Sequence, residues 1–344
     1  MTMTALSATA PGKIILFGEH AVVYGQPAIA VPVSIVQARA VISAIPAAPN
    51  GQVRLIAPDI HLDSLIDELP DDHPLVLAIL LTAGHLGAQR LPAMQVHLSS
   101  SIPLAGGFGS SAATAIAIIR AVSAFLGRPL SNDIVSELAY RVERRQHGNP
   151  SGIDNTVVAF EQPVYFVRGQ PFETLIAARP FTLVIGDSGV QSSTAAVVAD
   201  VQRLHQADPE SIDRAFTAIG DIVRQARGYI QAGMIDNLGE LMNHNQRLLK
   251  ELTISSPELD LLVEAALANG AMGAKLSGGG RGGNMIALVS PQTASRVERA
   301  LIAAGAVHTW ITTVAPILGP TEGLGNANNP SSGFPEIRRF IDYG

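Results

Sequence analysis

The 344-residue sequence contains no cysteine, which excludes a disulfide framework, a thiol nucleophile and a thiolate metal site together. That absence fits a reducing, cytoplasmic setting. Charge is also scarce: only 15% of residues are charged, and the formal net charge is -6. Basic runs are missing, and affinity for a phosphate backbone rests on clustered Lys and Arg, so a nucleic-acid partner is not expected. Long apolar runs are missing as well. Stretches such as Leu75–Leu81 fall short of the roughly 20 residues that span a bilayer, so no membrane partner is expected. Met1 to Ala10 carries no Lys or Arg ahead of an apolar core and does not read as a signal peptide.

Apolar residues are abundant, at 47% of the chain. That is ample material for buried cores, and at this length two lobes are expected. Apolar patterning predicts strands at Ile14–Phe17, Ala28–Val33, Gln52–Ile56 and Met94–Leu98, and a helix at Pro74–His85 with proline in its first turn. An Ala- and Ile-rich run, Ser110–Leu126, predicts a buried helix that starts directly after a glycine loop. The stripe Ile134, Val135, Leu138 and Val142 predicts the next helix, capped by Ser131 or Asn132 and stopping near Gly148. A strand at Phe181–Ile185 opens a second, mostly helical lobe, with helices near 193–206, 210–231, 235–252 and 257–268. The remainder reads as strand (Ala274–Leu276), glycine loop, strand (Met285–Val289), helix (Pro291–Ala304) and strand (Thr309–Val314).

Three stretches carry chemistry. Pro103-Leu-Ala-Gly-Gly-Phe-Gly-Ser-Ser-Ala-Ala113 sets glycines before a helix N-terminus. There, backbone amides and the positive end of the helix dipole can receive a phosphate, with Ser110 and Ser111 adding hydroxyls. No Gly-Lys-Ser/Thr closes it, so it is not the P-loop lysine motif; a tight turn with a helix cap is the alternative. Glu143, followed by His147-Gly-Asn-Pro-Ser-Gly-Ile-Asp-Asn155, brackets a turn-rich loop with two carboxylates. One suits Mg²⁺ and the other, Asp154, suits an acceptor hydroxyl; a surface Glu and a turn-stabilising Asp are the alternative. Lys275-Leu-Ser-Gly-Gly-Gly-Arg-Gly-Gly-Asn284 holds five glycines between two strands. That exceeds a hairpin's need, leaving room for a ligand or for a closely packed backbone; a flexible hairpin is the alternative.

Together with Ala10-Pro-Gly-Lys-Ile-Ile-Leu-Phe-Gly-Glu-His-Ala-Val-Val-Tyr-Gly25, these stretches resemble the kinases acting on galactose, homoserine, mevalonate and phosphomevalonate (GHMP kinases). The resemblance spans roughly residues 8 to 316. Within the family, Gly18-Glu-His-Ala-Val-Val-Tyr-Gly25 is similar to the branch acting on mevalonate; the galactose branch continues with Thr-Asp-Tyr. The resemblance implies an α+β, two-lobed fold with a ribosomal-protein-like α/β lobe (residues 1–180) and a ferredoxin-like α+β lobe (181–316). A loosely held tail (317–344) would follow.

It also implies ATP as co-substrate, Mg²⁺ as cofactor, mevalonate as acceptor and a homodimer as a frequent assembly. Residue by residue, Lys13 would sit beside the catalytic Asp154, and Ser111 and Glu143 would hold Mg²⁺. Pro103, Ala105, Gly106, Gly107, Phe108, Gly109, Ser110, Ser111 and Ala112 would wrap the ATP phosphates. Glu19, His20 and Thr194 would line the acceptor pocket, with Gly278 and Gly279 closing it from the second lobe. Taken singly, Lys13 can be a snorkelling surface lysine, His20 a structural histidine and Thr194 a helix cap. The family's third loop usually runs Gly-Ala and then unbroken glycines; here Gly279 replaces the Ala and Arg281 interrupts the run. Arg281 therefore either faces the triphosphate or points to solvent. The rival readings are another small-alcohol acceptor, such as phosphomevalonate or a sugar, and a ligand sensor built on the same fold.

Overall fold

A computed structural model describes residues 5–103, 106–147 and 150–315. The expected tail, Ala105 and the stop near Gly148 lie outside the described residues. The first half forms β1 (Leu6–Phe17), β2 (Ala28–Ala44), β3 (Val53–Ala57), β4 (Leu62–Leu65), α1 (Pro74–His85), β5 (Met94–Ser100), α2 (Ser110–Phe125), α3 (Asn132–His147), α4 (Ile153–Phe160), β6 (Val164–Phe166) and β7 (Glu173–Thr174). Its seven strands make one sheet in the order β4-β3-β5-β2-β6-β7, with β1 paired to β2. Among the described residues, β3 and β5 are the one pair that runs parallel.

The 17-residue β2 is the spine of this sheet. Its first residues pair with β6, its last with β5, and β1 follows it for most of its length. The expected strand ended at Val33, yet the pairing runs on to Ala44. Beyond Val33, buried Val36, Ala38, Ala40 and Ile42 alternate with exposed or half-buried Gln37, Arg39 and Val41, the period of a strand with one face on the core. Register breaks at Pro11/Gly12 and Ile15/Phe17 bracket Lys13 on β1; such irregularities re-aim the side chains beside them. Helix α2 is buried nearly all round, with Ile116, Ile118 and Ile119 fully enclosed. A helix apolar on every face belongs in the interior, and α2 lies against β1 and β2 between α1 and α3.

The second half forms β8 (Phe181–Asp187), α5 (Thr194–Ala207), α6 (Pro209–Ala232), α7 (Leu238–Glu251), α8 (Pro257–Ala268), β9 (Gly273–Ser277), β10 (Asn284–Val289), α9 (Ala294–Ala303) and β11 (His308–Val314). The four strands form an antiparallel sheet ordered β11-β8-β10-β9. Helices α7, α8 and α9 cover it. At α8, Ser256 Oγ accepts from the Leu259 amide and Pro257 takes the first helical position. Asp208 and Pro209 do the same for α6. The architecture is α+β, as expected. No helix among the described residues is long and apolar enough to cross a membrane.

One hydrophobic cluster runs through both sheets. At the seam, buried Ser277 on β9 reaches β1: its Oγ accepts from the Ile15 amide (3.1 Å) and donates to the Ile15 carbonyl (2.8 Å). Ser277→Ala leaves both backbone groups without that partner and should cost about 1–3 kcal/mol of unfolding free energy, read from urea denaturation. An unchanged midpoint would show that the seam does not depend on these bonds.

Candidate active site

Lys13 is carried by β1 into the interior and is only 5% exposed. Its amide donates to the Phe108 carbonyl at 2.8 Å, and its Nζ meets Asp154 Oδ1 at 2.9 Å. A snorkelling surface lysine is thereby excluded. Asp154 lies just beyond the turn-rich loop, in the first turn of α4, a helix that the sequence reading did not expect. Gly152 precedes that helix with φ at 92°, a left-handed geometry that glycine tolerates. The helix start favours a carboxylate through its dipole. About a third of the Asp154 side chain remains open to solvent. Over the pair sits Gly109, where φ is 70° and an added Cβ would lie 2.9 Å from Lys13 Cγ. Only glycine fits both the backbone and the space.

Gly109 also begins α2, whose N-terminus carries no side-chain cap. Its first-turn amides and positive dipole end therefore remain available to an anion. Of the loop residues named from sequence, Pro103, Gly107, Gly109, Ser110 and Ser111 are partly exposed, and Gly106 is buried. Phe108 is fully buried, edge-on to Trp310 of β11 with centroids 5.0 Å apart. Its side chain and its carbonyl, which accepts from the Lys13 amide, anchor the loop. Ala112 is buried too.

Ser111 Oγ lies 2.5 Å from Glu143 Oε1 and 2.7 Å from Gln146 Oε1, both on α3. A hydroxyl, a buried carboxylate and an amide oxygen are hard donors of the kind Mg²⁺ takes. Among the described residues no group of three or more His, Cys, Asp or Glu converges as a metal site. A magnesium ion here fits the usual pattern of few protein ligands completed by phosphates and water. Gln146 escaped the sequence reading; its signal was the i, i+3 spacing from Glu143 on one helix face.

The remaining residues meet at the seam. Glu19 is fully buried, and its Oε1 pairs with the equally buried ammonium of Lys275. That ammonium also donates to the Leu276 carbonyl at 2.6 Å. Burial pushes the Glu19 carboxyl up and the Lys275 ammonium down in pKa, each against their mutual attraction. Glu19 Oε2 has no hydrogen-bond partner among the described residues. Lys275 was named in the sequence only as the start of a motif; a lysine inside a buried strand was the signal.

His20 sits with φ at 59°, and its Nε2 lies 2.9 Å from the Gly279 carbonyl. A carbonyl only accepts, so Nε2 carries the proton and Nδ1 is left as an acceptor. Burial holds the His20 pKa below its usual value, with the charge of Arg281 adding to the effect.

Thr194 is exposed at the start of α5. The capping role belongs to Ser193, whose Oγ accepts from the Ala196 amide. Thr194 stands against Gly279, where an added Cβ would be 2.5 Å from its Oγ1. Gly278 faces Gly107, so the two glycine loops touch. Asn284 Nδ2 donates to the Gly106 carbonyl across the same contact. Arg281 neither faces a phosphate site nor points freely to solvent: it is docked on Asp200 and Thr253.

Residues 75–162 match the family described as GHMP kinases N terminal domain, and 226–307 match GHMP kinases C terminal. The mevalonate kinase of Thermococcus sibiricus is 38% identical over 316 residues, spanning 87% of this chain and 93% of that protein. The Pyrococcus furiosus mevalonate kinase is 35% identical over 323 residues, spanning 87% and 93%. Among solved structures, L. major mevalonate kinase in complex with R-mevalonate superposes with a TM-score of 0.79 at 30% identity, covering 92% of this chain and 97% of that one. Streptococcus pneumoniae phosphomevalonate kinase, at 18% identity and a TM-score of 0.76 over 89% of this chain and 99% of that one, shares the fold.

Two outcomes follow from the geometry. Gly109→Ala should cost about 2–4 kcal/mol in denaturant unfolding, from left-handed strain and displacement of the buried ion pair; a neutral result would mean the loop shifts freely. His20 binds its proton less readily folded than unfolded, so stability should fall with pH below its ordinary value of 6.5. The slope is bounded by about 1.4 kcal/mol per pH unit. His20→Asn, which tolerates the left-handed backbone and keeps a donor, should flatten that slope in urea titrations. An equal slope in both proteins would place the sensitivity elsewhere.

Proposed function

The chain belongs to the GHMP kinase family, and on that footing we propose that it transfers the ATP γ-phosphate to the 5-hydroxyl of mevalonate, giving 5-phosphomevalonate and ADP. The observation that carries the reading is the Lys13–Asp154 pair, 2.9 Å apart, lying under Gly109 at the open N-terminus of α2. A phosphate seated on that helix start and an alcohol against Asp154 would meet there. The names of the similar proteins supply the acceptor.

In phosphoryl transfer the transition state is loose and its charge spreads over oxygens, so the protein chiefly positions and neutralises. The loop from Pro103 to Ala112 receives the phosphates on its amides. Asp154 accepts the acceptor's hydroxyl proton, or holds that hydroxyl in line. Lys13, fixed by the same carboxylate, stabilises the negative charge that develops on the oxygen. Ser111 and Glu143, with Gln146, hold Mg²⁺, which when bound neutralises charge on the phosphate oxygens. His20, Thr194, Gly278 and Gly279 form the acceptor side, and Glu19, closed to solvent against Lys275, supports it from behind. With its proton on Nε2, His20 offers Nδ1 to a hydroxyl of the acceptor rather than to its carboxylate. The lobe boundary at 180/181 follows the break between sheets, since β7 ends at Thr174 and β8 begins at Phe181. A cytoplasmic setting agrees with the absence of cysteine.

A phosphorylated acceptor is the rival, and it would want a cation to spare near the acceptor side. Lys275 is taken up by Glu19, and Arg281 by Asp200. That distribution favours the unphosphorylated alcohol.

ADP release with Mg-ATP and each of mevalonate, phosphomevalonate, galactose and homoserine decides the matter. Turnover is expected with mevalonate alone, and Asp154→Asn should lower it by about a hundredfold or more. Turnover with a different acceptor instead would sink the mevalonate assignment and keep the kinase.

A further inference from the structure

Arg281 is an oddity twice over: a long charged side chain within a glycine run, and a non-glycine residue in the left-handed region, with φ at 54°. Such a conformation costs about 1–2 kcal/mol for an L-residue, so something must hold it. Four contacts do. Its amide donates to the Ile254 carbonyl at 2.7 Å. Its Nε donates to the Thr253 carbonyl at 2.9 Å, and Nη2 to Thr253 Oγ1 at 3.1 Å. Its Nη1 pairs with Asp200 Oδ2 on α5.

These contacts close a ring. Thr194 begins α5 and stands against Gly279; Asp200, further along the same helix, holds Arg281, two residues beyond Gly279 in the loop. Gly279 in turn accepts from His20. Fixing Arg281 to Asp200 therefore fixes how α5 sits over the loop, and with it the separation of Thr194, Gly279 and His20. We propose that Arg281 is a positioning residue for the acceptor side: its clamp on Asp200 and Thr253 holds the Gly278–Gly283 loop and α5 in one geometry, which sets the affinity for the alcohol. This rests on the reading that those residues face the acceptor. Arg281 touches neither substrate itself.

A positioning role predicts a specific kinetic pattern. Contacts made equally in ground and transition states change KM and leave kcat alone. Arg281→Gly suits the left-handed backbone and removes only the clamp. Asp200→Ala removes the ion pair of the clamp from the other end, keeping the Thr253 contacts and the loop sequence, so an effect shared by both comes from the ion pair and not from glycine's freedom. Each should raise KM for the acceptor by about tenfold, with kcat and KM for ATP within about twofold of the parent, and the double variant should add nothing to either. Arg203 also reaches Asp200, from a side chain 76% exposed; Arg203→Ala is the control and should match the parent.

Hydrogen exchange on the unliganded full chain supplies the readout that does not depend on the acceptor's identity. The amides of Arg281 and Gly283, bonded to Ile254 and Val190, should exchange at least about tenfold faster in both variants, with α7 unchanged. Faster exchange with an unaltered acceptor KM would overturn the proposal by reducing the clamp to a structural tie. Unaltered exchange would overturn it at the root, and so would a change in KM for ATP alone. The kinetic arm uses whichever acceptor the parent turns over. If it turns over none, the functional reading fails, and the exchange arm still decides the clamp.

Discussion

A buried lysine needs a counter-charge, and much of this molecule is arranged around giving Lys13 one. An ammonium taken out of water carries a penalty of several kcal/mol unless it is paired and hydrogen-bonded. Here the partner comes from α4, 141 positions along the chain, at 2.9 Å. To bring the two together, β1 must break register on either side of Lys13, α4 must start within a turn of Asp154, and the loop above must be glycine at 109. That loop is itself pinned by Phe108, whose carbonyl takes the Lys13 amide and whose ring packs on Trp310 of the second sheet. The pair therefore reports the correct placement of both halves of the molecule.

A second buried pair does a different job. Glu19 and Lys275 are closed to solvent, whereas Asp154 is a third open. The open pair can meet a substrate; the closed one joins β9 to the end of β1. Four polar links between the halves lie in this region: Ile15 with Ser277, Glu19 with Lys275, His20 with Gly279, and Gly106 with Asn284; others, Glu173 with Arg227 and Ala178 with Ile230, lie away from it. With these four links at the site, a ligand bound there stabilises this part of the seam, and the seam pre-shapes the site. Binding and folding are then coupled by mass action.

The elements legible in the sequence were those whose pattern is local. Helices α1, α6 and α8 open on a proline, α6 and α8 with a side-chain cap as well, while α2 and strand β8 carry their apolar runs. Helix α4 was missed because its eight residues follow a cluster of turn formers, which argues for a loop. Strands β6 and β7 are three and two residues long, too short to show a period. The full length of β2 was hidden by Pro32 and Ser34, and it exists because β5 pairs along its far end. At the site, motif residues gave the neighbourhood but not the partners. Lys275 finds Glu19 at a separation of 256 positions, and Arg281 finds Asp200 at 81. No periodicity encodes such a meeting.

The third loop decides between the readings its composition left open, in favour of a closely packed backbone. Five glycines in six residues suggest flexibility, yet the structure uses them for closeness. A Cβ at Gly280 would lie 2.3 Å from the Ile254 carbonyl oxygen, and one at Gly282 would lie 2.3 Å from that of Val190. Those are backbone atoms that cannot swing aside. The glycines let the loop lie directly on its neighbours, and Arg281, the residue that breaks their run, supplies the side-chain grip they lack. Close approach and a charged anchor are complementary ways to remove freedom from a segment whose unfolded ensemble is unusually broad. A glycine-rich loop secured in this manner meets its substrate with its shape already set, so the entropy of ordering it falls on folding rather than on binding.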